Sequence, residues 1–393
     1  MRIRSICIHP LEAKFADLYG GEDKVPAALS SPASHFRRIK RSGQFSTLVE
    51  VVSADGVSGW GDAFGLPHAS ATAAILRNVV VPALIGTEFD EPLAATADLR
   101  AYFLALGLTR GAAMEALSAV DIALWDLKAR TANVPLARAL GATPGPVKAY
   151  VGSVPFLDTP EASAERAMGF VGDGFDAVKL KVGRGVQIDT AHVAAVREAL
   201  GPHRQLTLDA NCGYDVDGAI TLGKALKAYD IGWFEEPVPP DQPRALAEVR
   251  RNVPMPVAAG ENEFVPAQFA ALAEAGAVDV LQPNITRAGG VSGFLAIDDI
   301  CRKHKLLLAP HGVGTAIGLA AAVHTCRALG SFAVYEANRL LNPLRDDLLM
   351  KPVIFAKGEF FAGDEPGIGA VPRPELLERF ALRDNGAFAH AAE

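Results

Sequence analysis

The sequence predicts an α/β protein, a (β/α)8 TIM-type barrel with an N-terminal α+β capping domain that the C-terminal segment completes. Three observations support this fold class. Short apolar runs, each ending in a polar motif, recur through the middle of the chain, and segments of helical length and pattern separate them. The polar residues that end the runs follow one another at intervals of 23 to 28 residues, the length of one strand-helix unit. These residues are Lys181, Asp209, Glu235, Glu261, Asn284, His311 and Glu336.

Length and composition describe an ordinary globular protein. The 393 residues allow two domains, and 50% of them are hydrophobic, which is enough for a large core. We predict the capping domain at residues 1–128, the barrel at 129–349, and a C-terminal segment that returns to the capping domain at 350–393. The four cysteines show no metal-ligand spacing, so we expect reduced thiols.

The charge pattern limits the kinds of partner. The net charge is −7 and the charged residues are mixed, so we expect no nucleic acid and no membrane surface as a partner. No apolar run reaches the roughly 18 residues that a membrane span needs, and the N-terminus has no apolar signal-peptide core. We therefore expect a cytoplasmic protein, a homo-oligomer, whose partner is a small molecule.

The front of the chain alternates between apolar and polar residues, which is typical of antiparallel strands. Residues 3 to about 65 show this pattern twice, with a hairpin turn at Ala54-Asp55-Gly56. The Gly- and Pro-containing stretch between the two runs, 15–38, has no clear period and predicts a long mobile loop. Two helical stretches follow, of which the second, around 111–130, has one apolar face.

Eight strand-helix units are predicted from Val147 to about Asn338. In a barrel, the carboxyl ends of the strands converge on one mouth, so polar residues at those ends are catalytic candidates. Any one of them could be a helix N-cap instead, but seven in register favour a site. The eight strand candidates contain Val147, Ala177, Leu206, Gly232, Val257, Val278, Leu306 and Phe332.

Three of the mouth residues predict a metal site. Asp209, Glu235 and Glu261 would repel one another and could not all ionise unless a cation lay between them. Oxygen ligands without a paired His or Cys favour Mg²⁺, with Mn²⁺ as a substitute. Because neighbouring strand residues point to opposite faces, only one of Glu235 and Glu236 is expected to reach the centre, and the residues alone leave open which.

The lysine pair of the motif KLK predicts a general base. Lys179 and Lys181 lie two residues apart on one strand, so both should face the barrel interior. We expect their mutual repulsion, partial burial and the nearby cation to lower their pKa values toward neutrality. A solvated strand edge is the alternative reading, but the apolar neighbours Val178, Leu180 and Val182 favour a buried strand.

Acid-base partners are expected on the opposite face of the site. His311 could protonate a departing β-hydroxyl, or return a proton to the α-carbon of the substrate. The carbonyl of Asn284 could accept the imidazole N–H and fix its tautomer. Glu336 is a further candidate, with a helix cap as its alternative role. Asn211 and Asn262 follow two of the ligands and could orient them or the substrate.

The order of the motifs KxK, DxN, EEP and GEN, then a His and a Glu, behind an α+β domain, resembles the mandelate racemase subgroup of the mandelate racemase/muconate lactonizing enzyme family, in the enolase superfamily. The resemblance covers essentially the whole chain. Within the family, the segments WFEEPV, LQPNITRAGG and LAPHGVGT look closest to acid-sugar dehydratases and galactarolactone cycloisomerase.

This resemblance implies roles for individual residues. It makes Glu235, the first of the pair, the metal ligand, Lys181 the base, and Lys179 a holder of the substrate carboxylate. It implies that Glu336 hydrogen-bonds the same carboxylate, for which Glu336 would have to carry or share a proton. The family places an Asp where this chain has Asn284, and this is the clearest departure.

We therefore predict an enzyme, a lyase or isomerase that removes the α-proton of a sugar-acid carboxylate and then eliminates the β-substituent. A racemase or epimerase would use the same residues, and a non-catalytic metal-binding relic is a third alternative. A muconate-type cycloisomerase is disfavoured, because that group has a lysine where this chain has Gln282-Pro283-Asn284. Substrate contacts are expected from the capping domain, at Tyr19 and His68 in the segments 19–21 and 64–68.

Overall fold

The computed structural model of the protein describes residues 1–36 and 38–383, and it has the architecture that the sequence predicts. A barrel of parallel strands and outer helices carries a smaller α+β domain, here called the capping domain, over one mouth. The last ten residues of the predicted C-terminal segment, and Arg37 of the predicted loop, lie outside the described residues.

The capping domain begins with an antiparallel sheet in the order β1-β2-β3. The predicted hairpin is confirmed, because the turn at residues 54–57 joins β2 to β3 in antiparallel register. The three strands span Ile3–Lys14 (β1), Gly43–Ser53 (β2) and Ser58–Ala63 (β3).

The stretch between β1 and β2 was predicted as one long mobile loop, and that prediction was wrong. It contains two short helices, α1 (Phe15–Tyr19) and α2 (Ala27–Ser30), and 3₁₀ turns at Glu22–Lys24 and Ser34–Phe36. Buried Phe15 and Leu29 fix it to the domain. Helices of one turn are too short to show a hydrophobic period, so the sequence pattern could not reveal them.

The longest helix of the capping domain packs against β3 at unusually close range. This helix, α7 (Ala112–Thr131), contacts Gly59 and Gly61 of β3, where a Cβ atom would lie 2.2 Å from the carbonyl oxygen of Ala123 and 1.8 Å from that of Ala119. Only glycine fits at such an approach. The other helices are α3 (Ser70–Ile75), which continues through a π turn (Leu76–Val80) into α4 (Val81–Leu84), then α5 (Pro92–Ala95), α6 (Ala97–Ala105) and α8 (Leu136–Ala139).

Eight parallel strands form the barrel. Each strand from β4 to β9 pairs with the next, and β11 pairs with β4. A bridge between Leu308 and Phe332 joins β10 to the segment before β11 and closes the ring. The strands are β4 (Gly145–Val154), β5 (Ala177–Lys181), β6 (Gln205–Asp209), β7 (Ile231–Glu235), β8 (Val257–Ala259), β9 (Val280–Leu281), β10 (Leu307–Leu308) and β11 (Tyr335–Asn338).

Outer helices follow the first seven barrel strands, and their apolar faces complete the core. Five of the predicted strand positions fall inside strands, whereas Val278, Leu306 and Phe332 lie one to three residues before β9, β10 and β11. Because β9 and β10 are only two residues long, a predicted position one or two residues away already falls outside them. The helices are α9 (Pro160–Gly172), α10 (Val186–Leu200), α11 (Val216–Ala225) with a 3₁₀ turn (Lys227–Tyr229), α12 (Pro243–Asn252), α13 (Pro266–Glu274), α14 (Gly290–His304) and α15 (Ala316–Cys326).

The C-terminal segment contacts both parts of the protein. After α16 (Pro343–Asp346), the hairpin of β12 (Phe355–Ala356) and β13 (Glu359–Ala362) adds to the barrel strand β4 in antiparallel register. The chain then returns to the capping domain, where the Ile368 amide donates to Asp126 at 2.7 Å and, beyond α17 (Pro374–Arg379), the Leu382 amide donates to the Pro10 carbonyl at 2.8 Å.

Two further expectations can be compared with the structure. All four cysteines are free, as predicted. Within residues 1–36 and 38–383, none of the helices combines the length and the apolar character that a membrane crossing requires.

A buried carboxylate joins the capping domain to the barrel. Asp62 on β3 accepts hydrogen bonds from the Ser46 hydroxyl, from the amide and hydroxyl of Thr315 at 2.9 Å each, and from the Gly318 amide at 3.3 Å. Thr315 and Gly318 lie at the start of α15, whose N-terminal amides favour a negative charge. Asp62 therefore holds β3 against the loop that precedes α15.

We predict that Asp62→Ala lowers the free energy of unfolding by about 3 kcal/mol, since it leaves several buried donors without an acceptor. Urea denaturation followed by circular dichroism would measure it. Asp55→Ala, in the exposed turn between β2 and β3, is the matched control and should change stability by less than about 0.5 kcal/mol. Equal stability of the two variants would show that Asp62 does not hold the domains together.

Candidate active site

The polar residues at the strand ends do converge at one mouth of the barrel. Each lies at or just beyond the carboxyl end of its strand, except that Glu336 is the second residue of β11. A cavity of about 460 Å³ opens there beneath the capping domain, a size typical of sites for small molecules. The predicted residues that line it are Lys181, Asn211, Glu261, His311 and Glu336, and the predicted residues buried beside it are Lys179, Asp209, Glu235 and Asn284.

Three carboxylates form the centre of the site. One oxygen from each of Asp209, Glu235 and Glu261 lies within 4.8 Å of the other two. Burial, and then the charge of Asp209, raise the pKa of Glu235 to about 8. Two buried acids and a partly buried one at this spacing, with oxygen donors alone, fit a hard divalent cation, whose charge would relieve their repulsion. The arrangement is that of a divalent metal site.

Lys179 lies below this cluster, inside the barrel. Its ammonium group donates to Glu235 at 2.9 and 3.1 Å and pairs with Glu336 at 3.0 Å and with Asp209 at 3.5 Å. Its side chain is 1% exposed, and Tyr150 presents its ring to the ammonium at 5.7 Å. Lys179 therefore compensates the charge of three carboxylates at once.

Lys181 reaches the cavity. It donates to Asp209 and to the side-chain oxygen of Asn211, whose amide nitrogen in turn contacts Glu261 at 3.4 Å. The residues of the site shift the lysine pKa values upward, opposite to the predicted fall. Burial lowers the pKa of both lysines, but the surrounding carboxylates outweigh it, so the pKa of Lys181 is raised and that of Lys179 is raised well above its ordinary value. The sequence analysis counted the second lysine but not the acids across the barrel.

His311 and Asn284 are in contact, with 2.9 Å between the imidazole Nδ1 and the Asn284 side-chain nitrogen. The orientation of this amide is fixed by its backbone partners, because its oxygen accepts from the Thr286 amide at 2.9 Å and its nitrogen donates to the Val313 carbonyl at 2.7 Å. The expectation that the Asn284 carbonyl accepts from the imidazole was therefore wrong: the amide nitrogen faces His311.

This contact fixes the tautomer of His311. Since Nδ1 accepts a hydrogen bond from Asn284, the proton of the neutral ring is on Nε2. Nε2 lies 3.3 Å from Glu261 and 3.9 Å from Glu336, on the side of the carboxylates. Burial lowers the pKa of His311 to about 4, so the ring is neutral at pH 7 and presents an N–H donor to the site.

Glu336 has a different state from the one that the resemblance required. Burial raises its pKa, but Lys179 and His311 outweigh burial, so the pKa of Glu336 is lowered overall. It is an acceptor that pairs with Lys179 and not a protonated donor. The Glu336 carboxylate fits because residue 152 is a glycine: a Cβ atom on Gly152 would lie 1.9 Å from the Glu336 Oε1.

Glu236 also lines the cavity, which the sequence analysis excluded. The alternation of faces does not extend to it, because β7 ends at Glu235 and Glu236 has a left-handed backbone with φ of 39°. Its carboxylate accepts from Asn262 at 2.9 Å, and burial, then the charge of Glu261, raise its pKa well above the ordinary value. Pro237, which interrupts the strand, was the available signal.

The predicted segment 64–68 reaches the cavity through Phe64, Leu66 and Pro67, but Tyr19 and His68, the two capping-domain residues predicted to contact the substrate, do not line it. Tyr19 lies at a separate cavity beside Arg339, and His68 packs on the ring of Phe45 at 5.0 Å and lines a third cavity. The segment that precedes β2 was missed because it lacks periodicity. The cap residues that line the active-site cavity include Pro32, His35, Phe36, Ile39, Arg41, Phe45, Phe64, Leu66 and Pro67.

Arg287, between β9 and α14, connects this cap to the metal-ligand loop. Its guanidinium stacks 3.8 Å from the centre of the Phe64 ring, pairs with Glu115 of α7 at 3.2 Å, and donates to the Glu261 carbonyl at 3.1 Å. It lines the cavity but is already paired.

A closed barrel with three acids, a lysine and a histidine at its mouth, under an α+β cap, defines an enzyme of the enolase superfamily. Two family models assign the chain more closely. Residues 162–376 match the enolase C-terminal domain-like family, and residues 27–141 match the N-terminal domain of mandelate racemase / muconate lactonizing enzyme. The chain therefore belongs to the mandelate racemase/muconate lactonizing enzyme family, and the resemblance seen in the sequence is confirmed.

Relatives of known function cover most of the chain. D-Galactarolactone cycloisomerase of Agrobacterium fabrum (strain C58 / ATCC 33970) is 35% identical over 349 residues, which are 86% of this chain and 91% of that protein. Arabinonate dehydratase of Saccharolobus solfataricus is 27% identical, over 85% of this chain and 90% of that protein.

Solved structures have the same fold. The 3,6-anhydro-D-galactonate cycloisomerase from Zobellia galactanivorans has a TM-score of 0.85 at 28% identity and covers 98% of this chain and 100% of its own. A racemase from Streptomyces coelicolor A3(2) with bound magnesium has a TM-score of 0.86 at 27% identity, over 97% of this chain and 100% of its own.

We predict that Glu235→Gln weakens divalent-cation binding at least about tenfold, whereas Glu236→Gln changes it by less than about threefold. The two variants alter adjacent residues by the same chemical change, so each controls for the other. Calorimetric titration with magnesium chloride would measure both. A larger loss of magnesium affinity for Glu236→Gln than for Glu235→Gln would show that the second glutamate is the metal ligand.

We also predict that Asn284→Asp raises the pKa of His311, because a carboxylate beside Nδ1 stabilises the imidazolium. The imidazolium would then persist to higher pH, and the corresponding limb of the kcat/KM profile would move upward. Nitrogen-15 NMR of the labelled imidazole gives a readout that does not depend on activity. Asn252→Asp, at the exposed end of α12, is the control. An unchanged titration would exclude a coupled His311 and Asn284 pair.

Proposed function

We propose that the protein is a magnesium-dependent lyase or isomerase that removes the α-proton of a sugar-acid carboxylate and then eliminates the β-oxygen substituent. The observation that carries the proposal is the position of Lys181: its amine reaches the cavity beside the three-carboxylate cluster, with a neutral histidine on another side of the mouth. The named relatives, a cycloisomerase of a sugar lactone and a dehydratase of a sugar acid, support the same chemistry.

Asp209, Glu235 and Glu261 are proposed to hold Mg²⁺, with Mn²⁺ as a possible substitute. When bound, the cation would neutralise the carboxylates that raise the pKa of Lys181 and would stabilise negative charge on the substrate carboxylate. Glu235 is held by Lys179, by the Gln282 amide at 2.8 Å and by the Trp233 indole at 3.3 Å. Such fixed partners keep the ligand oriented.

Lys181 is proposed to act as the base. As a neutral amine it takes the α-proton, and the electron pair of the broken C–H bond moves into the carboxylate to give an enediolate. Asn211 receives a hydrogen bond from the Lys181 ammonium and contacts Glu261, so it keeps the base next to the ligands. Lys179 is too deeply buried to line the cavity, and we propose that it positions the carboxylates and does not contact the substrate.

His311 is proposed to donate a hydrogen bond from its Nε2–H to the departing oxygen, which leaves as an anion that this bond stabilises and then takes its proton from water. The strands β5 and β10, which precede Lys181 and His311, are three strands apart around the ring in one direction and five in the other, so base and acid approach the substrate from different sides. The electron pair of the enediolate forms the new C=C bond as the β C–O bond breaks. The leaving oxygen is a hydroxyl in dehydration and the ring oxygen in lactone opening, and the enol product becomes a 2-keto-3-deoxy acid.

Proton NMR in deuterated water tests the proposal. With Mg²⁺ and a panel of aldonic acids, aldaric acids and their lactones, we predict loss of one α-proton signal and formation of a 2-keto-3-deoxy product. Lys181→Ala should slow exchange by about 10²- to 10⁴-fold, since it removes the base. His311→Asn should keep the exchange and lose the elimination.

Lys148→Ala, on the exposed part of β4, is the matched lysine control and should behave as the wild type. Exchange with inversion of configuration and without a keto product would indicate an epimerase instead. Absence of exchange across the panel, with bound Mg²⁺ shown by calorimetry, would contradict the proposed function.

A further inference from the structure

Arg41 is a buried cation in the wall of the active-site cavity, on the side of the capping domain. The residue is 8% exposed. Its Nε donates to the Gly43 carbonyl at 3.3 Å and its Nη2 to the side-chain oxygen of Gln44. Among residues 1–36 and 38–383, no carboxylate lies within ion-pair distance of Arg41, and its Nη1 has no hydrogen-bond partner.

A buried charge without a counter-ion is unfavourable, so this arrangement needs an explanation. The neighbouring charge has the same sign: Arg345 lies nearby but is paired with Asp346 at 2.8 Å. Burial, and then the charge of Arg345, lower the pKa of Arg41 to about 10. At neutral pH the guanidinium is still charged. An anion in the cavity would offset both the cost of its burial and its repulsion by Arg345.

The guanidinium is also held in place. Gln44, its partner, donates from its side-chain nitrogen to the Leu341 carbonyl at 2.6 Å, which connects the start of β2 to the segment after β11. Asn338, the last residue of β11, and Leu340 of that segment line the same cavity. Arg41 thus lies between the cap and the barrel in a fixed position, as expected of a binding group and not of a mobile surface side chain.

The other cations of the cavity wall are either paired with a carboxylate or exposed. Lys181 contacts Asp209 and Arg287 pairs with Glu115 at 3.2 Å, whereas Lys40, which donates to the Ser31 hydroxyl, is exposed, so water screens its charge. Apolar rings, such as those of Phe45 and Phe64, form much of the remaining cap side. Arg41 is therefore the group of the described cavity lining that remains for a second anion.

We infer that Arg41 binds the distal carboxylate of the substrate, and that the natural substrate is a dicarboxylic sugar acid or its lactone. This rests on the proposed function, in which the first carboxylate lies at the three-carboxylate cluster. Guanidinium and carboxylate form paired, charge-assisted hydrogen bonds. A monocarboxylic sugar acid ends in a hydroxymethyl group and leaves the charge of Arg41 without a partner.

The test compares an aldaric acid with the aldonic acid of the same configuration at every shared centre. For Arg41→Gln, kcat/KM for the diacid should fall about 10- to 100-fold, mainly through KM, because a charged hydrogen-bond pair is lost. For the monoacid it should change less than about threefold. Arg41→Lys, which keeps the positive charge, should retain part of the preference for the diacid. Arg38→Gln, the same charge change at an exposed position of the same segment, should leave both values unchanged.

Equal losses on both substrates would assign Arg41 a structural role and overturn the inference. A wild-type preference for the monoacid, or for an acid phosphorylated at the distal end, would overturn it as well.

A binding measurement distinguishes the failure of this inference from the failure of the proposed function. Calorimetric titration of Lys181→Ala with the two acids needs no turnover, and tighter binding of the diacid would support the inference even if no panel member reacted. Equal binding there would overturn the inference while α-proton exchange by the wild type still supported the function. If Arg41→Gln does not fold, the dissociation constants of the wild-type protein for the diacid and the monoacid test the same preference.

Discussion

The structure depends on how buried charge is balanced at the barrel mouth. Asp209, Glu235 and Glu261 lie close enough to repel strongly, and the barrel removes Asp209 and Glu235 from water. Lys179 compensates from below, where its ammonium contacts three carboxylates, and Lys181 compensates from the cavity side. This balance explains why the carboxylates raise the pKa values of both lysines. A cation bound to the same carboxylates would weaken their attraction for the Lys181 ammonium.

The capping domain determines what the barrel can bind. Asp62 fixes the sheet of the cap to the start of α15, and Arg287 stacks on Phe64 while it holds the carbonyl of Glu261. These contacts join the cap to the loop that carries Glu261. Arg41 is a buried cation in a cavity wall that the cap lines largely with apolar residues, and its inferred role rests on that position.

His311 shows how its surroundings determine the state of a buried imidazole. Burial keeps the ring neutral at pH 7, and the contact with Asn284 places its proton on Nε2, toward the carboxylates. A neutral N–H can stabilise a leaving oxygen by hydrogen bonding. A carboxylate at position 284 would instead favour the imidazolium, and the reversible proton exchange that racemisation requires would become easier.

The sequence by itself determined the barrel, its cap, and the seven polar positions, because a repeat of 23 to 28 residues and the end of each apolar run are local properties of the chain. It did not determine the direction of the lysine pKa shifts, the orientation of Asn284 or the approach of Glu236 to the cavity. Nor did it reveal that Arg41, and not Tyr19, lines that cavity. Only the tertiary structure decided these, since each depends on charges and backbone groups that the fold brings together from distant parts of the chain.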